Sequence, residues 1–155
     1  MSDEQTALNS MAEEIFDLTT LASIRRARSR SSRSGEVSES EFLTLDILAK
    51  HQPVTIGEIQ KRIGVVPAQM SRIVKGLEDR TPKSYIHCSI NAKDRRRIDV
   101  AITPEGRSAY EKYRSTRLSS TLDTLSALSP KDLNDFMRVL RKIKQRISDN
   151  LDAGA

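Results

Sequence analysis

Cysteine occurs once in this chain, at Cys88, and histidine twice, at His51 and His87. A single cysteine excludes an intrachain disulfide, and these three residues fall in no recognisable zinc spacing. No apolar run approaches the roughly 20 residues that cross a bilayer. Ser2, Asp3 and Glu4 make the start acidic where a signal peptide is basic, so a cytoplasmic protein is expected. The 6 glycines of the 155 residues form no phosphate-cradling loop. No nucleophile, base and orienting group stand together either, so neither an enzyme nor a cofactor is expected.

What remains is a chain of one-domain length, with room for extended helical arms. Its hydrophobic content is 37%, enough for a core, and its net charge is +5 with a pI near 9.6. That moderate basic excess favours nucleic acid or an anionic surface.

Residues Thr6 to Arg28 read as one long amphipathic helix, with Leu8, Met11, Ile15, Leu18 and Ala22 at spacings of three and four. From Arg25 to Gly35 the composition shifts to Ser and Arg, as in a loop or a frayed helix end. Ser38-x-x-Glu41 has the form of a capping box and opens a helix through His51, with Phe42, Leu45, Leu48 and Ala49 on its apolar side. Thr55-x-x-Glu58 is a second box. Its helix carries Ile56, Ile59 and Ile63, and Gly64 suits the left-handed closing position. Pro67 fits a first helical position, and the helix it opens runs to about Arg80. Ile86, Cys88 and Ile90 then alternate along one strand, and Ile98, Val100 and Ile102 along another, as a hairpin. Thr103-Pro104-Glu105 starts a helix to about Leu128, and Ser129-Pro130 starts the last one. In that helix Leu133, Phe136, Met137, Leu140, Ile143 and Ile147 form a stripe.

The helix from Pro67 separates into two faces at about 100° per residue. Met70, Ile73, Val74 and Leu77 face a core. Ala68, Ser71, Arg72 and Lys75 fall opposite, and Gln69 lies at the flank. The N-terminal part of a recognition helix points at base edges in the major groove. Arg binds guanine O6 and N7 in bidentate fashion, Gln binds adenine N6 and N7, and the Ala68 methyl can touch thymine. Ser71 and Lys75 suit phosphates. The hairpin tip carries Lys93, Arg95, Arg96 and Arg97, and inserted Arg is attracted to a narrow minor groove. Asp94 would be repelled by phosphate, so an internal role is expected, with Arg96 or Arg72 as its partner. An ordinary solvated helix face and turn is the bland alternative. The capped helix, Gly turn and basic hairpin in sequence favour duplex DNA.

Those residues resemble the MarR family of winged helix-turn-helix transcription regulators. The resemblance is carried by Thr55 to Gly64, by Pro67-Ala-Gln-Met-Ser-Arg-Ile-Val74 with Leu77-Glu78, by Asp94-Arg-Arg96 and by Ile102-Thr-Pro-Glu-Gly106. It covers about Phe42 to Gly106 closely and the flanking helices in layout. It implies a mainly α fold with a small β-hairpin wing, and N- and C-terminal dimerisation helices. It also implies a homodimer on a pseudo-palindromic operator and a possible small-molecule effector. By position, Pro67, Ala68, Gln69, Ser71, Arg72 and Lys75 take the recognition-helix roles, and Lys93, Asp94, Arg95, Arg96 and Arg97 the wing. Val66 stands where the family usually has Ser or Thr, which removes a side-chain cap. The Arg25–Arg33 segment is not a family signature.

The expected organisation is a helix and basic loop over 1–35, the winged domain over 36–106 and further dimerisation helices over 107–155. Apart from the resemblance, the stripes on the first and last helices exceed what a small core covers, as does one formed by Leu118, Leu122, Leu125 and Leu128. A two-fold dimer would bury them and set two reading helices about 34 Å apart. Cys88, flanked by Ile86 and Ile90 on one strand face, reads as a buried and inert thiol. His51 reads as a helix-end cation. The basic segment could grip phosphates or be a solvated loop. A repressor is the expected function. The competing one is a winged-helix module that binds protein, which the Arg72/Lys75 face and the basic tip argue against.

Overall fold

The computed structural model describes residues 3–30 and 37–153, with side chains described for 3–28 and 37–151. Positions 31–35 of the basic segment therefore lie outside the described residues. The chain divides into two compact units, the first holding the N-terminal helix and the second everything from Val37 onward. No helix among the described residues is long and apolar enough to cross a membrane.

In the first unit α1 spans Asp3–Arg30. Its expected stripe is there, but Phe16, Leu21 and Ile24 are exposed as well, at 69%, 65% and 46%. At 100° per residue Phe16 stands well away from Ile15, and Ile24 nearly opposite Leu8. The apolar residues thus surround the helix, which corrects the expectation of a one-sided one.

The second unit is built on α2 (Glu39–Lys50), β1 (Val54–Thr55), α3 (Ile56–Ile63), α4 (Pro67–Glu78), β2 (Ile86–Ile90), β3 (Ile98–Ile102), α5 (Pro104–Leu125) and α6 (Pro130–Ala153). Both capping boxes form. The Ser38 hydroxyl accepts from the Glu41 N–H at 3.2 Å and the Glu41 carboxylate from the Ser38 N–H at 2.6 Å. Thr55 and Glu58 repeat the exchange at 3.3 and 2.8 Å. Gly64 closes α3 at φ 71°, where a side chain would be strained. Each box satisfies donors that a helix end leaves open.

Leu45 and Leu48 of α2, Ile59 of α3 and Met70, Ile73, Val74 and Leu77 of α4 form the core with Ile86, Val100 and Tyr110. Burying each large apolar side chain contributes about 1.5–3 kcal/mol. This packing fixes which side of α4 stays outside. Helix α5 is held to α2 by the Phe42 ring, which stacks on Tyr113 at 4.5 Å, and by the Tyr110 hydroxyl, which donates to Asp46 at 2.9 Å. It ends at Leu125, so Leu128 falls in the following turn. In α6 the stripe is exposed, with Phe136 at 44%, Ile143 at 41% and Ile147 at 56%.

The sheet runs β1–β3–β2, all antiparallel. Strand β1 was not expected. It pairs Val54 with Val100 and Thr55 with Asp99. The hairpin register sets Ile86 against Ile102, Cys88 against Val100 and Ile90 against Ile98, so the alternating residues share one face as expected. Ile86 and Val100 are buried, yet Ile90 is 70% and Ile98 43% exposed. The hairpin outruns the core, and that makes it a projecting wing.

Candidate nucleic-acid interface

Pro67 begins α4 from an extended Val66 that supplies no side-chain cap. The N–H groups of Gln69 and Met70 both close on the Val66 carbonyl at 3.0 Å. Pro67 brings no N–H, so the amide of Ala68 is the donor that these bonds leave unused. A free donor at a helix start favours an anion. The Ser71 hydroxyl donates to the Pro67 carbonyl at 3.1 Å, and its oxygen can still accept.

Met70, Ile73, Val74 and Leu77 are buried, while Pro67, Ala68, Gln69, Ser71, Arg72 and Lys75 are exposed. The two faces are therefore those that the spacing gave. Among the described residues Arg72 and Lys75 take part in no ion pair.

Asp94 bonds Arg96, not Arg72. Its carboxylate accepts from the Arg96 backbone N–H at 3.1 Å, from Nε at 3.1 Å and from Nη2 at 3.4 Å. The Arg96 side-chain and backbone bonds hold the Asp94 carboxyl below its ordinary range, with the Arg97 charge adding to them. Arg96 stays 91% exposed. The carboxylate thus holds the guanidinium from behind and leaves it in solvent.

Two residues that the sequence reading passed over organise this tip. The side-chain oxygen of Asn91 accepts from the backbone N–H groups of Lys93 and Asp94, both at 2.9 Å. Its amide nitrogen donates to both Asp99 carboxylate oxygens, at 2.9 and 3.0 Å. Its backbone N–H reaches the Arg97 carbonyl, and the Arg97 N–H returns to the Asp94 carbonyl. An Asn at the start of a turn, bonding its own backbone two and three residues on, is a recognisable signal. Asp99 gives no such signal, because its role depends on strand pairing. Arg97 lies near Glu58, whose carboxyl is lowered first by the Thr55 N–H, then by the Thr55 hydroxyl, with the Arg97 charge contributing.

Behind α4, Glu41 is 8% exposed. Arg80, just past the end of α4, donates to both its oxygens at 2.9 Å. Burial pushes the Glu41 carboxyl up, but the Ser38 N–H and the Arg80 guanidinium outweigh it and the net direction is down. Cys88 behaves oppositely. Burial first, then Glu78, pushes its thiol up to about 12, so it holds its proton at neutral pH and is inert. Among the described residues no group of His, Cys, Asp and Glu is arranged to hold a metal.

The MarR family model matches residues 37–98, from the entry to α2 through the wing. The HTH-type transcriptional repressor MdtR of Bacillus subtilis (strain 168) is 28% identical over 109 residues, covering 70% of this chain and 68% of that protein. A MarR family protein from Bacillus stearothermophilus superposes with a TM-score of 0.77 at 16% identity, over 96% of this chain and 99% of that one. FabT of Streptococcus pneumoniae, solved in complex with DNA, gives 0.67 at 21% identity, over 94% and 98%. Residues 37–98, with the helix pair and the wing, thus match the domain of the MarR family, whose members are transcription regulators rather than enzymes.

Proposed function

We propose that the chain is a homodimeric transcription regulator that reads a pseudo-palindromic DNA operator and acts as a repressor. The observation that carries this reading is the exposed face of α4, with Arg72 and Lys75 in no ion pair among the described residues, beside a wing whose Arg96 is aimed by Asp94. Ala68, Gln69 and Arg72 then meet base edges, and Ser71, Lys75 and the Ala68 amide meet phosphates. Pro67 starts this helix, and Lys93, Arg95, Arg96 and Arg97 bring positive charge to the adjacent minor groove. The DNA complex of FabT and the repressor name of MdtR support the same reading.

A dimer is favoured by the exposed apolar residues around α1 and the exposed stripe of α6, since such patches are unusual on a monomer. Two-fold symmetry would give half-sites about one DNA turn apart. A small-molecule effector is a further element of this reading, tested by ligand-induced release of bound DNA. Cytoplasmic placement follows from the function.

The deciding experiment is selection of bound sequences from random duplex DNA by the purified protein. A two-fold symmetric consensus is expected, lost in Arg72→Ala and Arg96→Ala. Enrichment of no sequence, or unchanged affinity in both variants, would favour a winged-helix module that binds protein.

A further inference from the structure

Two carboxylates in the first turn of α2 point to different neighbours. Glu39 accepts from the Tyr113 hydroxyl at 3.1 Å and from Arg117 Nη1 at 3.1 Å, both on α5. Arg117 in turn lies 4.8 Å over the Tyr113 ring and 5.6 Å over Phe42. Glu41 turns the other way. It bonds the Ser38 N–H and Arg80, and Arg80 lies 5.5 Å over the Tyr85 ring.

Glu41 also rests on α4 itself. A Cβ built on Gly76 would stand 3.0 Å from Glu41 Oε1. Gly76 comes two helical turns after Gln69 and shares its flank of α4, between the core face and the reading face. A carboxylate set there acts on the roll of the helix about its own axis, and the bond to Arg80 acts on its C-terminal end. Roll decides whether Gln69 and Arg72 reach base edges, because bidentate pairing tolerates little error in position.

We infer that Glu41 is a positioning residue for the reading helix: wedged against Gly76 and bonded to Arg80, it sets the roll of α4, while Glu39 anchors the same turn of α2 to α5. This rests on α4 being the DNA reader. The tie is charge-assisted, two-pronged on the carboxylate and largely removed from water, conditions under which such bonds are strongest and most directional. The core alone would hold α4 against the domain, but an apolar face tolerates small rotations that a fixed carboxylate does not.

The test uses the full chain and two substitutions. Gly76→Ala keeps every charge and hydrogen-bonding group and only pushes the carboxylate away by a few tenths of an ångström. Glu41→Gln keeps the shape and removes the charge. Affinity is measured by fluorescence anisotropy for the duplex selected by the wild-type protein and for an unrelated duplex of equal length. Urea unfolding is followed in parallel. The ratio of specific to non-specific affinity is expected to fall about tenfold in each variant, a loss comparable to one mismatched base pair. Non-specific affinity should stay unchanged, because phosphate contacts tolerate a small roll. The urea midpoint of Gly76→Ala should hold or rise, since Ala is the better helix former. A general loss of structure cannot produce that combination. A folded Gly76→Ala protein whose ratio stays within about twofold of wild type overturns the inference, whatever Glu41→Gln does. A wild-type protein that prefers no duplex overturns the DNA reading instead.

Discussion

Replacing Gly106 by Ala tests the joint from which both the wing and α5 depart. An added Cβ would lie 2.0 Å from the Tyr85 carbonyl oxygen, 2.8 Å from its carbon and 3.0 Å from Ile102 Cγ1. Non-bonded carbons rest about 3.5–4.0 Å apart, so the start of α5 and the start of β2 must separate by more than about an ångström. The same carbonyl accepts from the Thr103 N–H at 3.0 Å. The Thr103 hydroxyl donates to the Ser84 carbonyl at 2.7 Å and accepts from the Gly106 N–H at 3.0 Å. Overpacking alone costs about 1–3 kcal/mol, and each hydrogen bond lost adds about 1 kcal/mol. The helix preference of Ala returns about 1 kcal/mol at most. The net loss is about 3 kcal/mol, a large share of the roughly 5–15 kcal/mol that holds a domain. With a urea m-value of about 1–3 kcal/mol/M, the midpoint should fall by about 1 M or more. Gly57→Ala is the control. Nothing lies within 4 Å of its Cβ position, and it should hold or gain stability by up to about 1 kcal/mol. If Gly106→Ala unfolds within about 0.5 kcal/mol of wild type, the close approach of these two backbones is not what the packing requires.

Arg72→Ala should cost about 1–3 kcal/mol of affinity for the selected operator and relax the choice at one base pair. Lys75→Ala should weaken all duplexes alike and reduce the slope of log affinity against log salt by about one; anisotropy titrations at several salt concentrations separate the two. The Glu41 carboxyl is lowered below its ordinary 4.5, so it adds stability above that value, lost as pH falls through the lower folded value. Urea midpoints across the acid range should therefore fall more steeply in wild type than in Glu41→Gln; parallel curves would remove Glu41 from the account. Ile143 is 41% exposed within the α6 stripe, and Ile143→Lys should convert a dimer to monomer in sedimentation while far-ultraviolet circular dichroism holds.

Helix α4 could be read from the sequence because four apolar residues at helical spacing leave only one way to turn it. The capping boxes and Gly64 were readable because each is a local exchange within four residues. Partners set by the fold were not. Glu41 announces itself as a cap, but its second task, Arg80, lies 39 positions away. Strand β1 has two residues, too few to alternate, and it exists because β3 offers it an edge. Asp94 left two arginines open as partners, and the turn geometry chose the near one. In α1 the search for a single stripe passed over Phe16, Leu21 and Ile24, because periodicity finds the best face and does not ask whether others are apolar too.

The cations of the interface fall into two kinds, and the difference follows from what each must do. Arg72, Lys75, Lys93 and Arg95 have no ion-pair partner among the described residues, so their charge is available to phosphate at little desolvation cost. Arg96 spends part of its charge on Asp94 and gains a direction, because the carboxylate engages its backbone N–H as well as Nε. A free arginine could enter a minor groove, but it would lose more rotamer freedom on arrival. The tip is prepared in the same sense by Asn91, which fixes the turn before any ligand is present. If the proposed DNA reading holds, net charge brings the protein to DNA in general, and the fixed pair of Asp94 and Arg96 is the part of the wing that can prefer one groove shape over another.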